Sequence, residues 1–346
     1  MSAVPVSFRG FGLVTSVGLD APSTCAAIRA KLQNPVETRV IDSRGEWLFG
    51  HEVPLGELHR GRAKLVRMCA MAIGECLEKL PPRERAGIPL LLCVAERSRP
   101  GRLPGLEDEL FLEIESALGI TFADQSVVVP QGRLGFTSAV DVARQMMLEG
   151  TARRVMVAAV DTLMNVATMT AYERAGRLLT AANSNGFLPG EGAGAVLLEQ
   201  DASAPALVCS GLGFATERAH IESGEPLRAD GLSRAIRAAL DDAGMRYPAL
   251  DFRVTDLSGE HYYFKEAALA MSRSLRERKQ EMDLWHPAEC VGETGAVGGL
   301  LAAAVADAAC RKGYAPGRSI LAHAGNDDGR RAAMVLRYLG ESSPRH

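Results

Sequence analysis

The stretch NSNGFLPGEGAGAVLLE, from Asn183 to Glu199, decides how the rest of the chain is read. Gly190, Gly192 and Gly194 alternate through it, with Glu191 as the one charge among them, and they lead into the apolar run Ala195–Leu198. A short continuous apolar run reads as a buried strand. Glycines at the mouth of such a strand mark a place where another backbone, or a ligand, comes close. Which of the two applies here depends on the flanking segments.

Outward from this stretch, strand and helix signals alternate. VPVSFRGFGLV (4–14) reads as a strand and turn, and DAPSTCAAIRAKL (20–32) as a helix entered at Asp20 or Ser23. AKLVRMCAMAIGECLEKL (63–80) is a stronger helix, and IPLLLCVA (88–95) and QSVVVP (125–130) are buried strands. In GFTSAVDVARQMMLEG (135–150), Phe136, Ala139, Val140, Ala143, Met146 and Met147 fall on one helical face, and Gly150 closes the helix. RRVMVAAVD (153–161) follows as a strand. This order predicts an α/β fold with a mostly parallel sheet. A faint repeat links the segment from Ser7 to the one from Val208. Each reads strand, Gly-x-Gly, turn and helix, with AIRAKL (27–32) matching AIRAAL (235–240). It predicts two similar halves, 1–205 and 206–346.

The 346 residues are 47% apolar and 23% charged, with a net charge of −3. That balance suits a globular core and argues against nucleic acid or an anionic membrane as the main partner. The most basic stretch, Arg273–Glu281, reads as a solvated helix face, and Arg97–Glu107 and Ser274–Ala288 as surface loops or lids. The apolar run Thr294–Ala306 is too short and glycine-rich to span a bilayer. The N-terminal segment, interrupted by Arg9, does not read as a signal peptide, so the expected location is cytoplasmic. Cysteines 25, 69, 76, 93, 209, 290 and 310 are scattered without a CxxC pair and read as buried apolar residues. Neither a metal nor a cofactor is expected.

Taken together, GFGLVTSVG, GTARRVMVAAVDT, NSNGFLPGEGAGAVLLE, GLGFATERAHIESGEP and CVGETGAVGGLLAAA resemble, in order and over nearly the whole chain, the β-ketoacyl synthases of the thiolase superfamily. The resemblance implies a five-layer α-β-α-β-α fold of two similar halves, usually a homodimer. It also implies decarboxylative condensation of acyl thioesters. That reaction uses a cysteine thiolate at a strand-to-helix elbow, two histidines, and backbone N–H groups that hold an oxyanion.

Matched onto this chain, those positions hold other residues. Counting back from Gly150 puts Arg133 at the elbow, and a guanidinium cannot be a nucleophile. Thr137 and Ser138 fit a helix cap or surface better than a nucleophile. The first histidine position reads Leu257, or Asp256 or Ser258 with a small shift, and His261 lies just beyond. The second reads Glu293, an anion that opposes a developing enolate. The family's C-terminal glycine loop corresponds to AHAGNDDGR, which keeps Gly325 and Asn326 but continues with Asp327 and Asp328. His323 is the best remaining histidine candidate, with hydrogen bonding of a turn as its plainer role.

Changes at all these positions point to loss of condensation, with Arg133, Glu293, Asp327 and Asp328 lining a polar remnant pocket and Arg133 paired to an acid. The expected role is that of a binding, scaffold or adaptor protein. The resemblance suggests a type VI secretion effector as partner, or an active synthase whose cavity this chain shapes. The alternative is an acyl-thioester enzyme, a 3-oxoacyl synthase or acyltransferase, using Glu293, His261, Ser138 or a displaced group.

Overall fold

The computed structural model describes residues 5–56, 60–200, 205–275, 277, 279 and 281–340. In chain order the elements are β1 (Val6–Val14), α1 (Ala21–Arg29), β2 (Val36–Ile41), β3 (Trp47–Gly50), α2 (Gly61–Glu78), β4 (Leu90–Cys93), α3 (Glu109–Leu118), β5 (Val127–Val129), α4 (Gly135–Leu148), β6 (Arg154–Thr162), α5 (Val166–Arg174) and β7 (Glu191–Glu199). They continue with β8 (Ala206–Thr216), α6 (Asp230–Asp242), β9 (Phe252–Thr255), α7 (His261–Ser274), β10 (Leu284–Trp285), α8 (Ala288–Val291), α9 (Gly298–Arg311), β11 (Ser319–Gly325) and β12 (Arg330–Leu339).

The large sheet runs β10-β9-β11-β12-β8-β1-β7-β6-β4-β5. Read outward from the β1–β8 seam, the two sides match. In each, two antiparallel steps (β1-β7-β6 and β8-β12-β11) are followed by two parallel ones (β6-β4-β5 and β11-β9-β10). The seam itself is antiparallel, with Ser7 opposite Val208. The sheet is therefore mixed, not mostly parallel as the apolar runs suggested. Such runs report burial on both faces, not strand direction. The short 326–329 link between β11 and β12 leaves room only for an antiparallel return.

Strand alternation sorts the core into layers. Leu91 and Cys93 join a cluster with Phe136 and Val140 of α4 and Leu300 and Leu301 of α9, while Leu90 and Leu92 face α2 and α3 through Leu65, Met68, Leu110 and Ile114. On the other side, Leu321 and Val335 pack against Leu232 and Ile236 of α6 and Ala270 of α7. The inner cluster also takes residues from both halves of the sheet, such as Val157 and Val254. The result is five layers, with α4 and α9 in the middle. α9 is buried nearly all round, as its apolar sequence requires. The predicted α4 face and its Gly150 stop are present, with Gly150 at φ +72°.

The 183–199 stretch becomes β7 and the turn before it. A methyl group on Gly190 would stand 2.3 Å from the carbonyl oxygen of Val291, so only glycine lets these backbones meet. The Gly190 N–H donates to the Glu293 carbonyl at 2.9 Å, and the Glu293 N–H donates to the Leu188 carbonyl at 2.8 Å. Gly194 packs on Leu300 of α9. The glycines thus fit the chain against α9 and the turn before it, rather than against α4. Glu191 is structural too. Its buried carboxylate pairs with Lys64 at 2.5 Å and accepts from the Val53 N–H and the Thr162 hydroxyl, both at 2.9 Å.

Two surface readings need correction. Arg97–Glu107 is a loop, with Arg97 and Arg102 held by Glu107, but Arg99 in its middle is buried. The basic stretch from Arg273 is not one helix face, because α7 ends at Ser274; residues 276, 278 and 280 lie outside the described residues.

Candidate functional site

The two central helices begin in the same way. A 3-10 turn, Gly132–Leu134, leads into α4, and another, Gly295–Val297, leads into α9. Gly132 and Gly295 take φ of +54° and +56°, the left-handed region that favours glycine. Side chains at Gly132 and Gly295 would strike the carboxylates of Glu96 and Asp161. Charged groups therefore sit directly behind both turns.

Arg133 projects from the first turn into a polar centre and is buried. Its Nη2 lies 2.5 Å from Asp327 Oδ1 and donates to the Tyr263 hydroxyl at 2.8 Å; its Nη1 is 3.7 Å from Glu293 Oε2, and its Nε is 4.0 Å from Asp256 Oδ2. The guanidinium also faces the Tyr263 ring at 4.6 Å. Asp327 is shared. Tyr263 donates to its Oδ1 at 2.5 Å and Arg177 to its Oδ2 at 2.6 Å, while Arg177 also holds Glu260 at 2.7 Å. A second buried group adjoins the first, in which Arg99 pairs with Glu96 at 2.7 Å and approaches Asp161 at 3.3 Å.

These environments set the charges. Burial alone would raise the Asp327 carboxyl, but Arg133 and Arg177 reverse that and hold it well below the usual carboxylate range. Burial opposes the charge on Arg133, and Tyr263 with the surrounding carboxylates outweighs it. Asp256 goes the other way. Burial pushes it up to about 6, against the pull of Arg133 and with Glu293 adding to the rise. His323, buried on β11, is pushed down to about 3 by burial and by Arg253 and Arg331, so it is a neutral imidazole.

The candidates read from sequence separate into two groups. Arg133, Glu293, Asp256 and Asp327 meet at one centre, and Ser258 donates to Glu293 at 2.8 Å. Asn326 borders it, its amide donating to the Gln131 carbonyl at 2.9 Å. Leu257 brings no polar atom to the centre and packs with Tyr263 and Ala267. His261 is exposed at the start of α7, where its N–H donates to Asn185. Ser138 donates to the Gln131 side chain at 2.8 Å. Asp328 turns outward to Arg330 at 2.7 Å rather than lining the pocket. Sequence reasoning missed Glu96, Arg99, Asp161, Arg177, Glu260 and Tyr263. A lone charge closing an apolar strand, as Asp161 closes VMVAAV, was the available signal.

The chemistry open to this centre is limited. A guanidinium cannot attack a thioester. Every cysteine is buried, and burial raises each thiol, to about 11 at Cys290 and about 12 at Cys25, with Cys69 and Cys93 higher still. Cys93 approaches the start of α4, its Sγ 3.6 Å from where a Cβ on Gly135 would stand, but it is fully buried in the apolar core. A thiol there stays protonated, whereas nucleophilic thiols are thiolates. The backbone donors are taken as well. Gly325 N–H goes to Asp256 at 3.1 Å, Asn326 N–H to the Arg330 carbonyl at 3.0 Å, Gly295 N–H to Glu293 at 2.8 Å and Ala296 N–H to Asp161 at 2.9 Å.

Comparison with known proteins agrees with the architecture. The family model for 3-oxoacyl-[acyl-carrier-protein] synthase III matches residues 131–213. No match is found among the curated proteins. Among solved structures, the ishigamide ketosynthase/chain length factor is similar at 18% identity and TM-score 0.78, over 98% of this chain and 100% of that one. A type II polyketide synthase acyl-carrier protein in complex with its ketosynthase is similar at 14% identity and TM-score 0.80, over 97% and 100%. The ketosynthase in complex with its chain length factor from Xenorhabdus doucetiae is similar at 12% identity and TM-score 0.75, over 96% and 98%. Among the described residues, no helix is long and apolar enough to cross a membrane. The strand order, the paired helix turns and these matches place the chain in the thiolase-like ketosynthase fold.

Proposed function

We propose that this chain does not carry out condensation and works instead by binding another protein. The observation that carries this reading is Arg133. At the start of α4, where the fold's condensation chemistry calls for a thiolate, it places a cation tied to Asp327, Tyr263 and Glu293. The acidic centre supports the same reading. Glu293 and Asp256 stand where a developing enolate would need donors, and the nearby backbone N–H groups are already bonded. In this reading Arg133 and Glu293, with Leu257 or its neighbour Asp256, replace the three reactive positions.

The partner is a protein. In the adaptor form of the proposal it is a secreted effector of the type VI kind. A second form is favoured by the structural neighbours, two of which carry a chain length factor in their descriptions. There this chain pairs with an active synthase and shapes its cavity. Affinity capture from the native host followed by mass spectrometry separates the two. A co-purifying effector supports the adaptor, and a co-purifying synthase supports the cavity-shaping partner. Recovery of the chain alone, as a species that turns over acyl thioesters, would overturn both.

A further inference from the structure

On the outer face, away from the charged centre, α6, the 3-10 turn Tyr247–Ala249 and the end of α7 enclose a cleft of about 520 Å³. That is the size of a small-molecule site. Leu240, Met245 and the Tyr247 ring give it apolar walls, and Arg237 and Arg246 stand exposed in its lining. Beside it is an uncompensated buried cation. Arg253, on β9, is only 6% exposed, and its Nε has no hydrogen-bond partner. Among the described residues no carboxylate pairs with it. The hydroxyl of Tyr247, itself 3% exposed, is also without a partner. Tyr247 packs in one cluster with Leu321, the residue opposite Arg253 in the β9–β11 register, and Tyr247 partly restores the Arg253 proton affinity that burial lowers.

A buried arginine without a counter-charge and a buried phenol without an acceptor are both costly. One acceptor-rich anion would relieve both. The arginines around the cleft also favour an anion. Arg273 is already neutralised by Asp230 at 2.6 Å, which leaves Arg237 and Arg246 of the lining against Asp241 and Glu277, with the buried Arg253 charge behind them. Guanidinium forks suit phosphate and carboxylate oxygens.

We propose that this cleft binds a small organic anion, its phosphate or carboxylate facing Arg246 and Tyr247, with the buried Arg253 charge behind them, and its apolar body lying along Leu240 and Met245. The test is isothermal titration calorimetry on the full chain with three probes: phenyl phosphate, phenylacetate and inorganic phosphate. Phenyl phosphate or phenylacetate should bind saturably and at least fivefold more tightly than inorganic phosphate, and whichever of the two binds more tightly identifies the anionic group. Arg246→Gln, an exposed change, should weaken that binding at least fivefold. Arg253→Met should weaken it at least twofold while leaving thermal stability unchanged or higher, because an unpaired buried charge is removed. Absence of heat with both aromatic probes, or an affinity unchanged in Arg246→Gln, would overturn the proposal. The Arg246 variant keeps the test decisive if Arg253→Met fails to fold.

Discussion

Arg133 meets a carboxylate or a phenol along each edge of its guanidinium, and two of those partners, Asp327 and Tyr263, also hold one another. Putting a thiol at this position would remove the cation but leave Glu293 and Asp256 in place. Arg133→Cys is therefore expected to release no carbon dioxide from malonyl thioesters above background, as measured with labelled substrate. Release would mean that the histidine-equivalent positions lie elsewhere. Asp256 gives a pH prediction. In the unfolded chain it ionises near 3.8, and in the folded protein at about 6. Between those values the folded state holds more protons, so this group lowers stability as pH rises through the window. Asp256→Asn removes that loss. Its urea midpoint should gain on that of the wild type between pH 4 and pH 7, and a constant difference would refute the assignment.

Secondary elements were the most legible level. The α4 stripe from Phe136 to Met147 states its buried face in the sequence, and the continuous apolar run Leu90–Cys93 states a strand buried on both faces, because apolar patterning reflects burial. Strand direction was not legible, since β6 and β7 carry the same apolar composition whichever way they run. The charged centre was half legible. Arg133 and Glu293 were found through motif matching, but Arg177, Glu260 and Arg99 come from distant loops whose meeting depends on tertiary closure.

At this scale, the pair Arg331–Glu266 joins β12 to α7 at 2.9 Å, with both side chains almost wholly buried. Arg331→Met alone should cost about 3–5 kcal/mol by stranding the Glu266 charge, and adding Glu266→Leu should recover most of it. Chemical denaturation of the single and double variants measures both. Gly190→Ala should cost about 1–3 kcal/mol or more, because the backbone of Val291 blocks the methyl group.

At the level of the whole molecule, the two halves share one sheet and one inner core, with Phe8 opposite Leu207 across the seam. We propose 1–205 and 206–346 as the units of the duplication; the link 201–204 lies outside the described residues. If the seam joins two such units, the fragments expressed together should assemble and co-purify, while each alone should expose the shared core and aggregate. The family resemblance was legible from glycine turns because those turns are architectural, and in the proposed function the same turns persist around a centre with different chemistry.

The proposed separation of fold from chemistry is open to a test by acyl transfer. The purified wild-type protein would be incubated with acyl- and malonyl-thioesters, with intact-mass spectrometry for covalent acylation and trapping of released carbon dioxide. Neither a mass increase nor release above the protein-free control is expected. Turnover that Glu293→Ala abolishes would mean that the centre is a working condensation site.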